Sequence, residues 1–169
     1  MSEVASFHPA LRRVRLLVLD VDGVLTDGRL FYGAKGESLK AFHVRDGHGI
    51  KQVSAAGITV AIISGRKSAA VARRARELGI KHVMQGATDK FAALTRLVKA
   101  RNVALEHCAC VGDDTPDVPI LRVAGLAIAV ADAHADALTS AHLVTSLPGG
   151  HGAVREVCDW LLDARRLRA

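Results

Sequence analysis

Four apolar residues, Leu16-Leu17-Val18-Leu19, run without a polar break into an aspartate, Asp20. A strand with one wet face alternates apolar and polar side chains, so an unbroken run signals a strand covered on both faces. The signature returns at Thr59 to Ile63, which closes on Ser64-Gly65-Arg66, and at Cys108 to Val111, which closes on Gly112-Asp113-Asp114. Further runs lie at His82 to Met84, Leu126 to Val130 and Leu143-Val144. Helical stretches separate them: Gly49 to Ala56, Ser68 to Leu78, Asp89 to Lys99, Pro116 to Val123, Ala133 to Ser140 and Val154 to Ala164. Asp89 and Thr115 stand where N-caps belong, and Gly79 is a suitable stop residue. Such alternation predicts an α/β fold, a Rossmann-like three-layer arrangement with a parallel sheet between helices.

One segment breaks the rhythm. Leu30-Phe31-Tyr32, a turn over Gly33 to Gly36, and Ser38 to Phe42 predict a β-hairpin, a flap spanning residues 29–43. The remainder of the 169 residues fits one domain, 1–169, with no length left for a cap domain. Half the chain is hydrophobic, enough for a core, and only 4% is aromatic. No apolar run reaches the roughly 18 residues of a membrane span, and the first residues lack the order of a secretory signal. The three cysteines, Cys108, Cys110 and Cys158, form no disulfide framework and read as small core residues. The expectation is a soluble, cytoplasmic protein that binds no membrane.

The formal charge of +6 raises the question of nucleic acid. The arginines, however, fall in small groups: Arg12, Arg13 and Arg15; Arg73, Arg74 and Arg76; Arg165, Arg166 and Arg168. Neither a long basic block nor an aromatic stacking platform accompanies them, so small anionic molecules are the expected partners and nucleic acid is not.

In open parallel sheets, ligands bind beyond the carboxyl ends of the strands. The polar clusters after Leu19, Ile63 and Val111 should therefore converge. Asp20 and Asp22, two residues apart on extended chain, point the same way and repel unless a divalent cation joins them. An oxygen-rich, histidine-poor set selects a hard ion, of which Mg²⁺ is the usual one. Asp113 adds a second acidic cluster on the same edge. Asp114 and Asp117 also suit the start of a helix. Ser64-Gly65 offers a hydroxyl and backbone amides for a phosphate, and Lys90 a cation.

Asp20-Val21-Asp22-Gly23, Ser64, Lys90 and Gly112-Asp113-Asp114 with Asp117 occur in the order of the four motifs of the haloacid dehalogenase-like phosphatases, and the chain resembles that superfamily. Longer strings narrow the resemblance: Val21 to Gly28, His43-Val44-Arg45-Asp46-Gly47, Ile63 to Lys67, and Gly149 to Glu156. These look like the short, capless phosphatases of 3-deoxy-D-manno-octulosonate 8-phosphate, cytosolic enzymes of lipopolysaccharide precursor synthesis. The resemblance implies a homotetramer in which hairpins pack together and one subunit helps close its neighbour's site.

It also implies roles. Asp20 would be the nucleophile that takes the phosphoryl group, and Asp22 the acid and then the base. Asp20, the backbone carbonyl of Asp22, and Asp113 would hold Mg²⁺, while Ser64, Gly65 and Lys90 would hold phosphoryl oxygens. His43, Val44, Arg45, Asp46, Gly47, Lys51, Arg66 and Arg74 would face an acidic sugar phosphate, the two arginines suiting its carboxylate. Arg155 would reach in from a mobile glycine-rich tail. His43, His48 and Lys51 depart from the pattern, where an amide, an aromatic residue and an arginine would be expected. The competing readings are a phosphatase of another acidic sugar phosphate, such as a nonulosonate 9-phosphate, a non-catalytic oligomerisation module, and a polynucleotide 3′-phosphatase.

Overall fold

The computed structural model describes residues 9–34 and 36–166; Lys35 at the hairpin tip and Arg168 lie outside them. Strand β1 (Leu16–Leu19) is wholly buried, as its composition requires. It pairs in parallel with β4 (Thr59–Ser64) on one side and β6 (Cys108–Gly112) on the other. With β5 (His82–Gln85), β7 (Leu126–Ala129) and β8 (Leu143–Val144) they form a six-stranded parallel sheet ordered β5-β4-β1-β6-β7-β8. Cys108 and Cys110 are buried in β6, and all three cysteines are free.

The helices are α1 (Val44–Ala55), α2 (Ala69–Leu78), α3 (Lys90–Arg101), α4 (Val118–Leu121), α5 (Ala135–Ser140) and α6 (Ala153–Arg166). Asp89 caps α3 by accepting from the Ala92 amide at 2.9 Å, and α2 stops at Gly79 with φ +73°. The expected helix over Pro116 to Val123 is instead a 3₁₀ turn (Thr115–Asp117) followed by the single turn of α4. Asp114, not Thr115, is the cap, because its carboxylate and that of Asp117 form a reciprocal capping box.

Helix α1 begins at Val44, five residues before the expected Gly49. The added turn takes in Gly47, and at both Gly47 and Gly49 neighbours approach too closely for a side chain. A Cβ on Gly47 would stand 2.3 Å from a guanidinium nitrogen of Arg74, and one on Gly49 would stand 2.9 Å from Cδ of Arg155. The glycines let α2 and α6 pack against α1, outweighing their poor helix propensity. Helix α6 buries Val154, Val157, Trp160 and Leu161, the stripe visible in the sequence. Its Arg165 ties the end of the chain to the body through the carbonyls of Ala56 at 2.5 Å and Val14 at 3.0 Å.

The hairpin forms a separate two-stranded sheet, β2 (Phe31–Gly33) with β3 (Gly36–Leu39). Its second strand ends earlier than the expected Ser38 to Phe42. Lys40 leaves the ladder because its ammonium turns inward to Asp22, and Phe42 packs against the core. Among the described residues no helix is long and apolar enough to cross a membrane.

Leu17 is fully buried on the central strand. Leu17→Ala should therefore destabilise the protein by about 2–5 kcal/mol, read as a drop in the urea midpoint. A change under 0.5 kcal/mol would contradict this packing.

Candidate active site

Three adjacent strands deliver polar residues to one edge of the sheet. Asp20 follows β1, Ser64 ends β4, and Asp113 follows β6. Together with Asp22, Gly65, Arg66, Lys90, Asp114, Pro116 and Asp117 they line one pocket of about 240 Å³. The pocket thus gathers every expected catalytic and metal-binding side chain, with Gly65 and Arg66.

At its floor sits Lys90, buried at the first position of α3. A helix N-terminus disfavours a cation, and burial disfavours it further. Two carboxylates outweigh both effects: Lys90 Nζ lies 2.9 Å from Asp20 Oδ1 and 2.5 Å from Asp117 Oδ1. Burial works against the ammonium's charge, but Asp20 and Asp117 hold its pKa above the ordinary value. The other Asp117 oxygen accepts from the Asp113 amide at 3.1 Å and the Asp114 amide at 3.5 Å. Asp117 is therefore fully used in fixing Lys90 and the loop after β6, a role the sequence left open.

Lys90 cannot neutralise the whole cluster. Carboxylate oxygens of Asp20, Asp113 and Asp117 lie within 4.8 Å of one another. Burial, with repulsion from Asp117, pushes Asp20 up to about 6 despite Lys90. Burial and repulsion from Asp20 and Asp117 push Asp113 up to about 8. Asp113 Oδ1 is buried without any hydrogen-bond partner. An unpartnered carboxylate oxygen in a cluster of three carboxylates is what a hard divalent cation would satisfy, so the donor set fits Mg²⁺. Gly23 makes room for it: with φ +94°, it allows Asp113 Oδ2 to stand where a Cβ would be only 2.0 Å away.

Asp22 is engaged from the side. Its Oδ1 accepts from Lys40, and its Oδ2 lies 3.7 Å from Arg66 Nε. Arg66 also reaches the Tyr32 hydroxyl at 3.0 Å and Glu37 at 3.4 Å. Glu37 in turn accepts from Ser68 at 2.6 Å, and that hydrogen bond leads the contacts holding its pKa below the usual range. Lys40, Glu37 and Tyr32 escaped the sequence reading, since nothing in a hairpin's composition says which side chains fold back on a site.

The remaining expected sugar-binding residues lie elsewhere. His43, Asp46, Gly47 and Arg74 line a separate, nearly closed cavity. Asp46 is 1% exposed and accepts from the Arg155 amide at 2.8 Å, tying α1 to the start of α6. Burial raises its pKa, opposed by that amide. Val44 and Lys51 are exposed on α1, and Arg45 shares a surface cleft with Arg155. Arg155 does not enter the pocket; its Nε pairs with Asp159 at 2.8 Å. Nor does the glycine-rich segment stand free over the site. Gly150 donates to the Val24 carbonyl at 2.9 Å, and Gly149 packs on the Gly23 backbone, bracing the loop that carries Asp22.

This arrangement can be compared with known proteins. Residues 81–156 match a profile described as haloacid dehalogenase-like hydrolase. The chain is 51% identical over 152 residues to 3-deoxy-D-manno-octulosonate 8-phosphate phosphatase KdsC of Escherichia coli K12, covering 90% of this chain and 81% of that one. The chain belongs to this phosphatase family. The Yersinia pestis relative is 49% identical over the same share. The Moraxella catarrhalis phosphatase, solved with magnesium ion, phosphate ion and KDO, superimposes with TM-score 0.93 at 42% identity, over 98% of this chain and 94% of that one. A cobalt-bound phosphatase from Haemophilus influenzae gives TM-score 0.91 at 44% identity, over 93% and 92%. The family fold is the α/β haloacid dehalogenase-like sheet described above.

Two outcomes follow from the site's electrostatics. Asp20 and Asp113 titrate near 3.8 when unfolded but near 6 and 8 in the metal-free fold. The folded state therefore binds more protons, and metal-free stability should fall as pH rises from about 4 to about 8. Mg²⁺ should raise the thermal midpoint more at pH 8 than at pH 5; an equal rise at both would contradict the charge assignment. Asp46→Ala strips backbone amides of α6 of their acceptor. It should cost about 1–3 kcal/mol in urea unfolding with KM for the phosphate ester unchanged, whereas a sugar-binding role would raise KM.

Proposed function

We propose that the protein is an Mg²⁺-dependent phosphomonoesterase that converts 3-deoxy-D-manno-octulosonate 8-phosphate to the free sugar acid and phosphate in lipopolysaccharide precursor synthesis. The observation that carries the reading is Asp20 itself. It is a buried carboxylate held by Lys90 at 2.9 Å and clustered with Asp113, whose Oδ1 has no partner, in a pocket that also presents Asp22 and Ser64. Relatives at 51% identity carry this activity in their names, and one solved relative contains magnesium, phosphate and KDO.

In this reading Mg²⁺, held by Asp20, Asp113 and the Asp22 backbone carbonyl, supplies the positive charge that lets an anionic nucleophile approach an anionic phosphate. Asp20 forms a bond to phosphorus as the bond from phosphorus to the sugar oxygen breaks. Asp22 gives its proton to that oxygen. A water molecule then attacks phosphorus, Asp22 takes the water's proton, and the aspartyl-phosphate opens to restore the Asp20 carboxylate. Ser64, the Gly65 amide and Lys90 hold the phosphoryl oxygens while charge shifts among them. Arg66, at the pocket's rim, is the cation best placed for the substrate carboxylate.

The chain works as a single domain without a cap, and copies of it assemble as a homotetramer in the cytoplasm. Support for assembly comes from the hairpin, which exposes Phe31 at 42%, Tyr32 at 63% and Leu39 at 51%. Apolar surface of this kind on a projecting hairpin suits a self-partner. Neighbouring subunits would then cover the pocket. The complete set of Asp20, Asp22 and Lys90 disfavours a non-catalytic module.

Asp20→Asn should reduce phosphate release by at least 10³-fold while the circular dichroism spectrum is retained; substantial turnover would remove Asp20 as nucleophile. A screen of sugar phosphates at fixed Mg²⁺ should favour the octulosonate 8-phosphate over neutral sugar phosphates, with activity lost in excess chelator and restored by Mg²⁺. A flat profile would leave only a general phosphatase, and a preference for a nonulosonate 9-phosphate would reassign the substrate.

A further inference from the structure

Lys40 is the most heavily constrained cation outside the pocket floor. Its side chain is 1% exposed, although it sits just past the end of a hairpin strand whose other residues are largely open to solvent. A buried ammonium is tolerated only with charged partners. Lys40 has two: Asp22 Oδ1 and, at 3.2 Å, Glu37 Oε2. Glu37 is itself anchored to the body by Ser68 at 2.6 Å and to Arg66 at 3.4 Å. Lys40 is thus held by Glu37 as well as by Asp22, and it takes one oxygen of the Asp22 carboxylate while the other lies 3.7 Å from Arg66 Nε, both residues lining the pocket.

We propose that Lys40 is a positioning residue for Asp22, so that the hairpin stem belongs to the catalytic unit rather than serving only as a contact for other subunits. The inference rests on the acid–base reading of Asp22 given above. Asp22 stands on a loop, and an unrestrained carboxylate there would turn about its own bonds. Anchoring Oδ1 on Lys40 leaves Oδ2 as the atom that gives a proton to the leaving oxygen and later takes one from water. Such orientation acts on the reaction step and not on substrate affinity. Glu37 serves two cations, Lys40 and Arg66, and so links the orientation of Asp22 to the residue best placed for the substrate carboxylate.

The test uses the full chain with Mg²⁺ and the octulosonate 8-phosphate. Lys40→Met keeps the length of the side chain and removes the charge; it should lower kcat by about 10- to 100-fold with KM within about twofold, and Lys40→Arg should restore much of the loss. The fall in kcat/KM should be smaller for p-nitrophenyl phosphate, whose leaving group departs without a proton, a distinction that a purely structural role would not produce. Asp22→Asn is measured alongside, and adding Lys40→Met to it should cause no further loss. If Asp22→Asn is inactive while Lys40→Met keeps kcat within twofold, or if the two losses multiply, the Lys40 proposal is overturned and the Asp22 reading stands. If Asp22→Asn itself turns over normally, the acid–base reading fails first. Thermal midpoints report folding of each variant. Should Lys40→Met not fold, Glu37→Gln, which releases Lys40 from its second carboxylate, is read on kcat alone because Glu37 also holds Arg66: a lower kcat that adding Asp22→Asn does not compound supports the proposal, and an unchanged kcat overturns it.

Discussion

The ammonium of Lys90 between Asp20 and Asp117 organises everything at the mouth of the sheet. It is one positive charge among three closely placed carboxylates, and that imbalance is the site's central physical fact. A cluster with a matching number of cations would be a quiet internal salt bridge. Here the lysine fixes two carboxylates and leaves Asp113 with a buried oxygen that nothing in the described residues satisfies. The resulting pressure toward protonation or cation binding is what prepares the pocket to accept a metal, and then a phosphate attracted to that metal.

The sheet supplies the geometry. Leu19 is level with Ile62 on one side and Val111 on the other, so the residues that follow emerge side by side. The chain builds outward from β1 through β4 and β5, then returns to β6 and proceeds the other way. That reversal opens a crevice at the carboxyl ends of the central strands, where helices no longer close over the edge. Asp20, Ser64 and Asp113 occupy this crevice because their strands are neighbours, however far apart they are in sequence. The braces are close-fitting glycine contacts: Gly23 leaves room for Asp113, and Gly149 and Gly150 lie against the loop between Gly23 and Asp27.

How far the sequence reveals this depends on how local the determining interaction is. The strands were legible because double burial leaves an unbroken apolar run, and the pocket's acids were legible because each directly follows such a run. Helix α1 was legible only from Gly49 onward: its first turn, from Val44, holds Gly47 against Arg74 of a distant segment, a packing that local sequence does not show. Long-range packing also gives part of the His43 to Gly47 string a structural task that the sequence does not show. Asp46 resembles a ligand-binding carboxylate in sequence, but it accepts an amide hydrogen 109 residues away and is buried. A motif can recur because it joins two helices as readily as because it touches substrate.

Lys40 illustrates the reverse case, a residue without any motif that reaches the chemistry through topology. The hairpin's ladder ends at Leu39, and the following residue turns inward toward the acidic edge, where charge attraction can outweigh continued strand pairing. Phe31 stands opposite Leu39 and Tyr32 opposite Glu37, so exposed apolar side chains and the charged group that holds Lys40 share one short ladder. Movement of either strand is carried to the other, because a paired strand moves more nearly as a unit than a loop does. The buried Lys40 ammonium, paired with Asp22 and Glu37, therefore holds the whole ladder against the acidic edge of the sheet, since lifting the hairpin would leave buried charges unpaired.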